Sequence, residues 1–139
     1  MANFTYFIRE RIKLNGVERG TNTEHTIPGI NYADGRVMSI PSGSITEVIN
    51  LANLPGAGTF VSSSVKYARI TNLSTGSINL QVSGSSTEMN YLVTGSGTFM
   101  FSSEFVNETF SDFEYGDLKS IKASPIDSEA TLSYFIVTT

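Results

Sequence analysis

The side chains able to do chemistry in this chain are few, and their spacing narrows what chemistry is open to them. His25 is the single histidine among 139 residues. It could serve one of the many serines as a general base if an aspartate oriented it. No G-x-S-x-G elbow accompanies it, and the run from Gly20 to Pro28, GTNTEHTIP, is polar almost throughout. The reading that follows is a surface histidine on an exposed loop or edge strand. A second constellation is acidic: Glu104, Glu108, Asp112, Glu114 and Asp117 follow one another with no basic residue between them. Hard cations such as calcium take several oxygens of this kind. The spacing fits no known calcium loop, and charge runs are ordinarily solvated faces.

Paired carboxylates also serve glycoside hydrolysis, where they stand roughly 5–10 Å apart. A chain of this length, with no tryptophan and no deep-cleft insertions, suits that chemistry poorly. Gly56-x-Gly58 and Gly95-x-Gly97 precede no helix carrying Lys-Ser/Thr, so they are corners between strands rather than phosphate loops. With no cysteine in the chain, disulfides, thiolate zinc sites and cysteine nucleophiles are excluded. The expectation is a protein without catalytic residues, cofactor or metal. Phe113 and Tyr115, beside the acidic residues, are candidate contacts for a sugar or a neighbouring protein.

The elements that would have to position these groups read as strands. From Val65 to Ser102 the chain alternates apolar runs with turn-forming stretches such as Asn72-Leu73-Ser74-Thr75-Gly76-Ser77. Ile78, Leu80 and Val82 alternate with Asn79, Gln81 and Ser83, the period of a half-buried strand. The stretch is expected to fold as an antiparallel meander. Near the N-terminus, Phe4, Tyr6, Ile8, Ile12 and Leu14 fall on one face of a long strand over 4–14, broken by Glu10, with Phe7 on the other face. Asn15-Gly16 then fits a type I′ turn with an antiparallel return from Val17. Asp34-Gly35 suggests a further hairpin between Ile30–Tyr32 and Val37–Ile40, while Pro28 and Pro41 should each limit a strand.

Residues 44–54 are ambiguous. Ile45, Val48, Ile49 and Ala52 have helical spacing behind a Ser44-x-x-Glu47 capping pattern, whereas Ile45, Ile49 and Leu51 fit a strand face; strand is preferred. Leu118–Ala123 and Ala130–Thr138 read as the last two strands. About eight short strands with regular turns describe an all-β, antiparallel β-sandwich or barrel. We expect residues 1–16 to form an N-terminal strand or arm and residues 17–139 a single β-sandwich domain.

Net charge is −4 and only 16% of residues are charged. Nucleic-acid binders concentrate basic charge on one face, so none is expected as a partner. No apolar run approaches the roughly 20 residues that span a bilayer, so no membrane partner is expected either. MANFTYFIRERIKLNG lacks the basic-then-apolar order of a secretory leader, so none is expected.

The order VKYARITNLSTGSINLQVSG, Tyr91–Val93, GSGTFMF, LKSIKASP and ATLSYFIVTT resembles small structural proteins of tailed phages, most of all capsid decoration (cement) proteins. The likeness spans roughly residues 65–139 and is one of pattern. It implies a jelly-roll-like β-sandwich and a non-enzymatic virion protein, made in the host cytoplasm and carried on the capsid surface. It further implies a homo-oligomer, a trimer in many such proteins, that binds across subunits of the major capsid protein. Under that reading Phe4, Tyr6, Phe7 and Ile8 are the docking residues, the alternative being that they complete a sheet of their own domain. The competing reading is a receptor- or glycan-binding module of a fibre or tail, with Phe113 and Tyr115 at its site.

Overall fold

The computed structural model describes residues 2–51, 65–84, 88–102 and 118–139. Twelve strands are found among them and no helix. They are β1 (Ala2–Arg9), β2 (Ile12–Leu14), β3 (Val17–Arg19), β4 (Asn22–Ile30), β5 (Tyr32–Ile40), β6 (Thr46–Asn50), β7 (Val65–Asn72), β8 (Ile78–Ser83), β9 (Glu88–Val93), β10 (Thr98–Ser102), β11 (Ser120–Pro125) and β12 (Ala130–Thr138). The chain divides into two compact units, Met1–Asn31 and Tyr32–Thr139.

The larger unit is a sandwich of two four-stranded antiparallel sheets, ordered β10-β7-β12-β5 and β6-β11-β8-β9. Its pairing is nested. β5 lies with β12, β6 with β11, β7 with β10 and β8 with β9, as if one long hairpin had been rolled up. The roll is closed by β7 against β12 and β8 against β11. This is the jelly-roll arrangement, and the expected sandwich of about eight strands is what these residues build.

The alternation read from sequence explains why the sheets face each other. Ile78, Leu80 and Val82 of β8 are fully buried while Asn79, Gln81 and Ser83 between them are half-exposed. On β12, Leu132, Tyr134 and Ile136 join the same core, together with Ala68 and Ile70 of β7 and Ile121 of β11. Each buried aliphatic side chain of this kind contributes roughly 1.5–3 kcal/mol relative to exposure, so the interior of the roll is where its stability resides.

Four expectations change. Residues 65–102 are not a meander: β7 and β10 belong to one sheet and β8 and β9 to the other. The two turns at 73–77 and 94–97 therefore cross between sheets and meet, as the Ser96 amide donates to the Ser74 carbonyl at 3.2 Å. Asn72, fully buried, pins them together. Its amide reaches the carbonyls of Gly76 (2.7 Å), Val93 (3.2 Å) and Thr94 (3.3 Å), and its Oδ1 accepts the Ser74 amide at 2.9 Å. A buried side chain that satisfies this many backbone groups substitutes for the ladder lost at a corner.

Asp34-Gly35 is not a turn either. β5 runs straight through it, with Gly35 opposite Phe135. A Cβ there would stand 2.8 Å from Phe135 Cδ2, so the glycine serves a ring that lies across the strand. Residues 46–50 form a strand, as preferred, and the helical spacing has a physical origin. The register shifts between Ile121 and Lys122, which leaves Val48 as an extra residue between Glu47 and Ile49. Such a bulge turns two consecutive side chains inward, and Val48 and Ile49 are both buried.

The smaller unit is a two-stranded ribbon. β1 pairs with β4 and β2 with β3, in one constant register from Phe4↔Ile27 to Leu14↔Val17. Asn15 and Gly16, at φ 51° and 79°, form the expected type I′ turn. The single long strand expected over 4–14 is instead interrupted at Glu10 and Arg11. There Gly20 adopts φ 138° and approaches the Glu10 carbonyl too closely for any Cβ. The Glu10 amide still donates to the Thr21 carbonyl at 2.9 Å, and Thr21 Oγ1 donates to the Glu10 carboxylate at 3.0 Å. Pro28 does not end β4. It falls in the irregularity between Ala2↔Ile30 and Phe4↔Ile27, beside Gly29 at φ 74°, one of the few places a strand tolerates proline.

Candidate functional site

The register of the ribbon settles which of its side chains share a face. Opposed residues lie on the same side of a sheet and successive residues on opposite sides. Phe4, Tyr6, Ile8, Ile12 and Leu14 thus form one stripe with Ile27, His25 and Val17 from the returning arm. Phe7 stands apart on the other face, opposite Glu24, and is 63% exposed. Of the four N-terminal residues expected to dock, the fold gathers Phe4, Tyr6 and Ile8 and separates Phe7. Phe113 and Tyr115, with the acidic residues 104–117, lie outside the described residues.

Burial grades along the stripe. At its base Ile27 is fully buried and Phe4, Tyr6 and His25 are half-buried. The Phe4 and Tyr6 rings stack at 5.8 Å, and the Tyr6 ring stacks on the His25 imidazole at 5.0 Å. His25 is therefore a strand residue in an aromatic stack. Toward the tip the cover disappears: Ile8 is 37% exposed, Ile12 58%, Leu14 51% and Val17 56%. The ion pair of Arg11 and Glu18, at 2.7 Å, belongs to the opposite face, since Glu18 lies across from Lys13.

Sequence reasoning singled out Phe4, Tyr6, Phe7 and Ile8 and passed over the more exposed cluster of Ile12, Leu14 and Val17. The signal was available, since a type I′ turn between two aliphatic residues places both beside each other at a hairpin tip. What a linear pattern cannot carry is the depth of cover over each residue.

Among the described residues of the sandwich, one titratable group is strongly perturbed. Burial, followed by the hydrogen bond that its hydroxyl donates to Asp34 Oδ2 at 2.8 Å, pushes Tyr134 up to about 12. Asp34 also accepts from Arg36 Nε at 3.2 Å. Both charged residues sit on β5, an edge strand, where inward-pointing charges discourage pairing with another sheet. The cluster is explained by strand protection and needs no substrate. Among the described residues, no group of three or more histidine, aspartate or glutamate side chains is placed to hold a metal ion.

Compared with known protein families and with curated sequences, the chain matches no family model and no curated protein.

Proposed function

We propose that this chain is a non-enzymatic virion protein, a capsid decoration protein that docks on neighbouring subunits of the major capsid protein through its N-terminal ribbon. One observation carries the reading. A self-contained two-stranded unit keeps a row of aliphatic side chains, Ile8, Ile12, Leu14 and Val17, open to solvent at its far end. Two-stranded ribbons are marginally stable in water, and an apolar face gains from a surface that covers it. A shell repeats the contact at every symmetric position, so modest burial per contact suffices. The jelly-roll sandwich supplies the rigid body and the resemblance of residues 65–139 the context. Assembly as a trimer belongs to the same proposal.

The test uses the full-length chain with serine at Ile12, Leu14 and Val17 together. Occupancy on purified particles should fall at least about tenfold, since apolar anchors at an interface centre dominate its affinity. The unfolding transition of the sandwich should not move. Undiminished occupancy overturns the proposal, as does failure of the protein to co-purify with virions at a fixed ratio to the major capsid protein.

A further inference from the structure

On the outward face of the β10-β7-β12-β5 sheet the chain carries a second surface that the ribbon reading does not use. Arg69 projects there from β7, flanked by Phe135 on β12 and Met100 on β10. The adjacent row across the same strands is Ser133, Thr71 and Thr98. We propose that Arg69 and these three hydroxyls bind a carboxylate-bearing sugar, a uronic or sialic acid.

The guanidinium is the starting point. Arg69 is half-buried, and it pairs with no carboxylate among the described residues. Arg11 and Arg36, by contrast, are exposed and each has one, Glu18 at 2.7 Å and Asp34 at 3.2 Å. Arg69 instead donates to Thr71 Oγ1 at 2.6 Å and to Ser133 Oγ at 3.5 Å. Neutral hydroxyls hold the planar fork in place, and among the described residues no carboxylate compensates its charge. A cation partly withdrawn from water in this way favours an anion, and the two-pronged geometry of a carboxylate suits the fork.

The hydroxyls specify what the anion is attached to. A guanidinium only donates, so Thr71 Oγ1 accepts from it. The Thr71 proton is then free for Thr98 Oγ1, 3.2 Å away. This relay leaves Thr98, exposed at the end of the row, able to donate outward. An ordered row of hydroxyl donors and acceptors beside a cation matches a ligand with several hydroxyls and one acid. The 43%-exposed Met100 offers apolar surface for the C–H face of a sugar ring.

Size decides against a protein as the occupant. Three strands span two inter-strand spacings, about 10 Å, and two same-face residues along a strand cover about 7 Å. That is the footprint of one monosaccharide, far below the roughly 800 Å² per partner of a stable protein interface. The site also stands independently of the ribbon: it needs neither its tip nor a capsid.

The experiment is an NMR titration of the full chain with glucuronic acid and with N-acetylneuraminic acid, using glucose as the neutral control. The acids should shift amide resonances at 69–71, 98–100 and 133–135, and glucose should not. Arg69→Gln should weaken binding by about tenfold or more, as expected for a lost charge-assisted pair, and Thr98→Ala by a smaller factor. If Arg69→Gln does not fold, Thr98→Ala carries the same comparison. Resonances that stay unmoved, that respond equally to glucose, or that keep their affinity in both variants overturn the proposal. Loss of particle occupancy in Arg69→Gln without any sugar binding overturns it too, by assigning the guanidinium to a protein contact.

Discussion

The ribbon and the sandwich are made of the same material and put it to different use. Both are antiparallel, and both alternate apolar with polar side chains. In the sandwich every inward row meets a second sheet, and Ile78, Leu80, Val82 and Ile136 are entirely excluded from water. In the ribbon the same alternation creates a stripe, yet among its described residues only Ile27 and Ile30 are buried apolar side chains. The difference teaches that amphipathic alternation specifies a face and not its cover. Where a second layer supplies the cover, alternation becomes stability. Where none does among the described residues, the same pattern stays open to solvent.

The comparison can be broken most directly by making one cut in both regions. Leu80→Ala in β8 should destabilise the chain by about 2–5 kcal/mol in urea unfolding, from lost burial and the cavity left behind. Leu14→Ala, which removes the same atoms at a site 51% exposed, should change stability by less than about 0.5 kcal/mol. Equal costs would show that the ribbon tip is part of the folded core.

A second test asks whether alkali acts on the sandwich. The Tyr134 hydroxyl is raised to about 12 from its ordinary value of 10. A group whose folded pKa is raised contributes stability that is fully present below the unfolded pKa and is lost as pH rises through the folded one. Stability should therefore hold up to about pH 10 and fall between pH 10 and 12, by on the order of 2 kcal/mol for this group. Asp34→Asn, which removes the carboxylate that accepts the phenol proton, should shrink the effect. A pH profile identical in both proteins would rule out that assignment.

The third test concerns the corner that joins the sheets. Asn72→Ala should cost about 1–3 kcal/mol, because the carbonyls of Gly76, Val93 and Thr94 lose a buried donor. Hydrogen exchange should quicken at 73–77 and 94–97 and stay unchanged in β1 to β4. Uniform acceleration across the ribbon as well would contradict the separation of the two units.

Some of this was legible along the chain and some was not, for identifiable reasons. β12 was readable to the residue, because Ala130–Thr138 alternates over its first positions and continues as a long apolar, β-branched run. The Asn15-Gly16 turn was readable because only a few residue pairs accept two positive φ angles in sequence. Residues 46–50 were ambiguous because a bulge at Val48 breaks the period of two that would have marked a strand. Asp34-Gly35 misled because the glycine is required by a ring from a strand a hundred residues away in sequence, not by a local turn. On the ribbon, Phe4, Tyr6, Phe7 and Ile8 stand out along the chain because of their aromatic content. The exposed aliphatics at the tip emerge only once cover can be measured.

The sequence by itself determined the class of this protein. Periodicity of two, frequent turn residues and the absence of cysteine leave a β-sandwich or barrel stabilised by its core, because side-chain alternation is a local property that survives in one dimension. Tertiary structure alone decided which strand lies beside which. Nested pairing of β5 with β12 through β8 with β9 is a choice among many that the same alternation would satisfy. It also decided that Asn72 is a keystone and that Arg69 stands among hydroxyls, with no carboxylate paired to it among the described residues. Those properties depend on neighbours brought from distant positions, and period and composition carry no record of them.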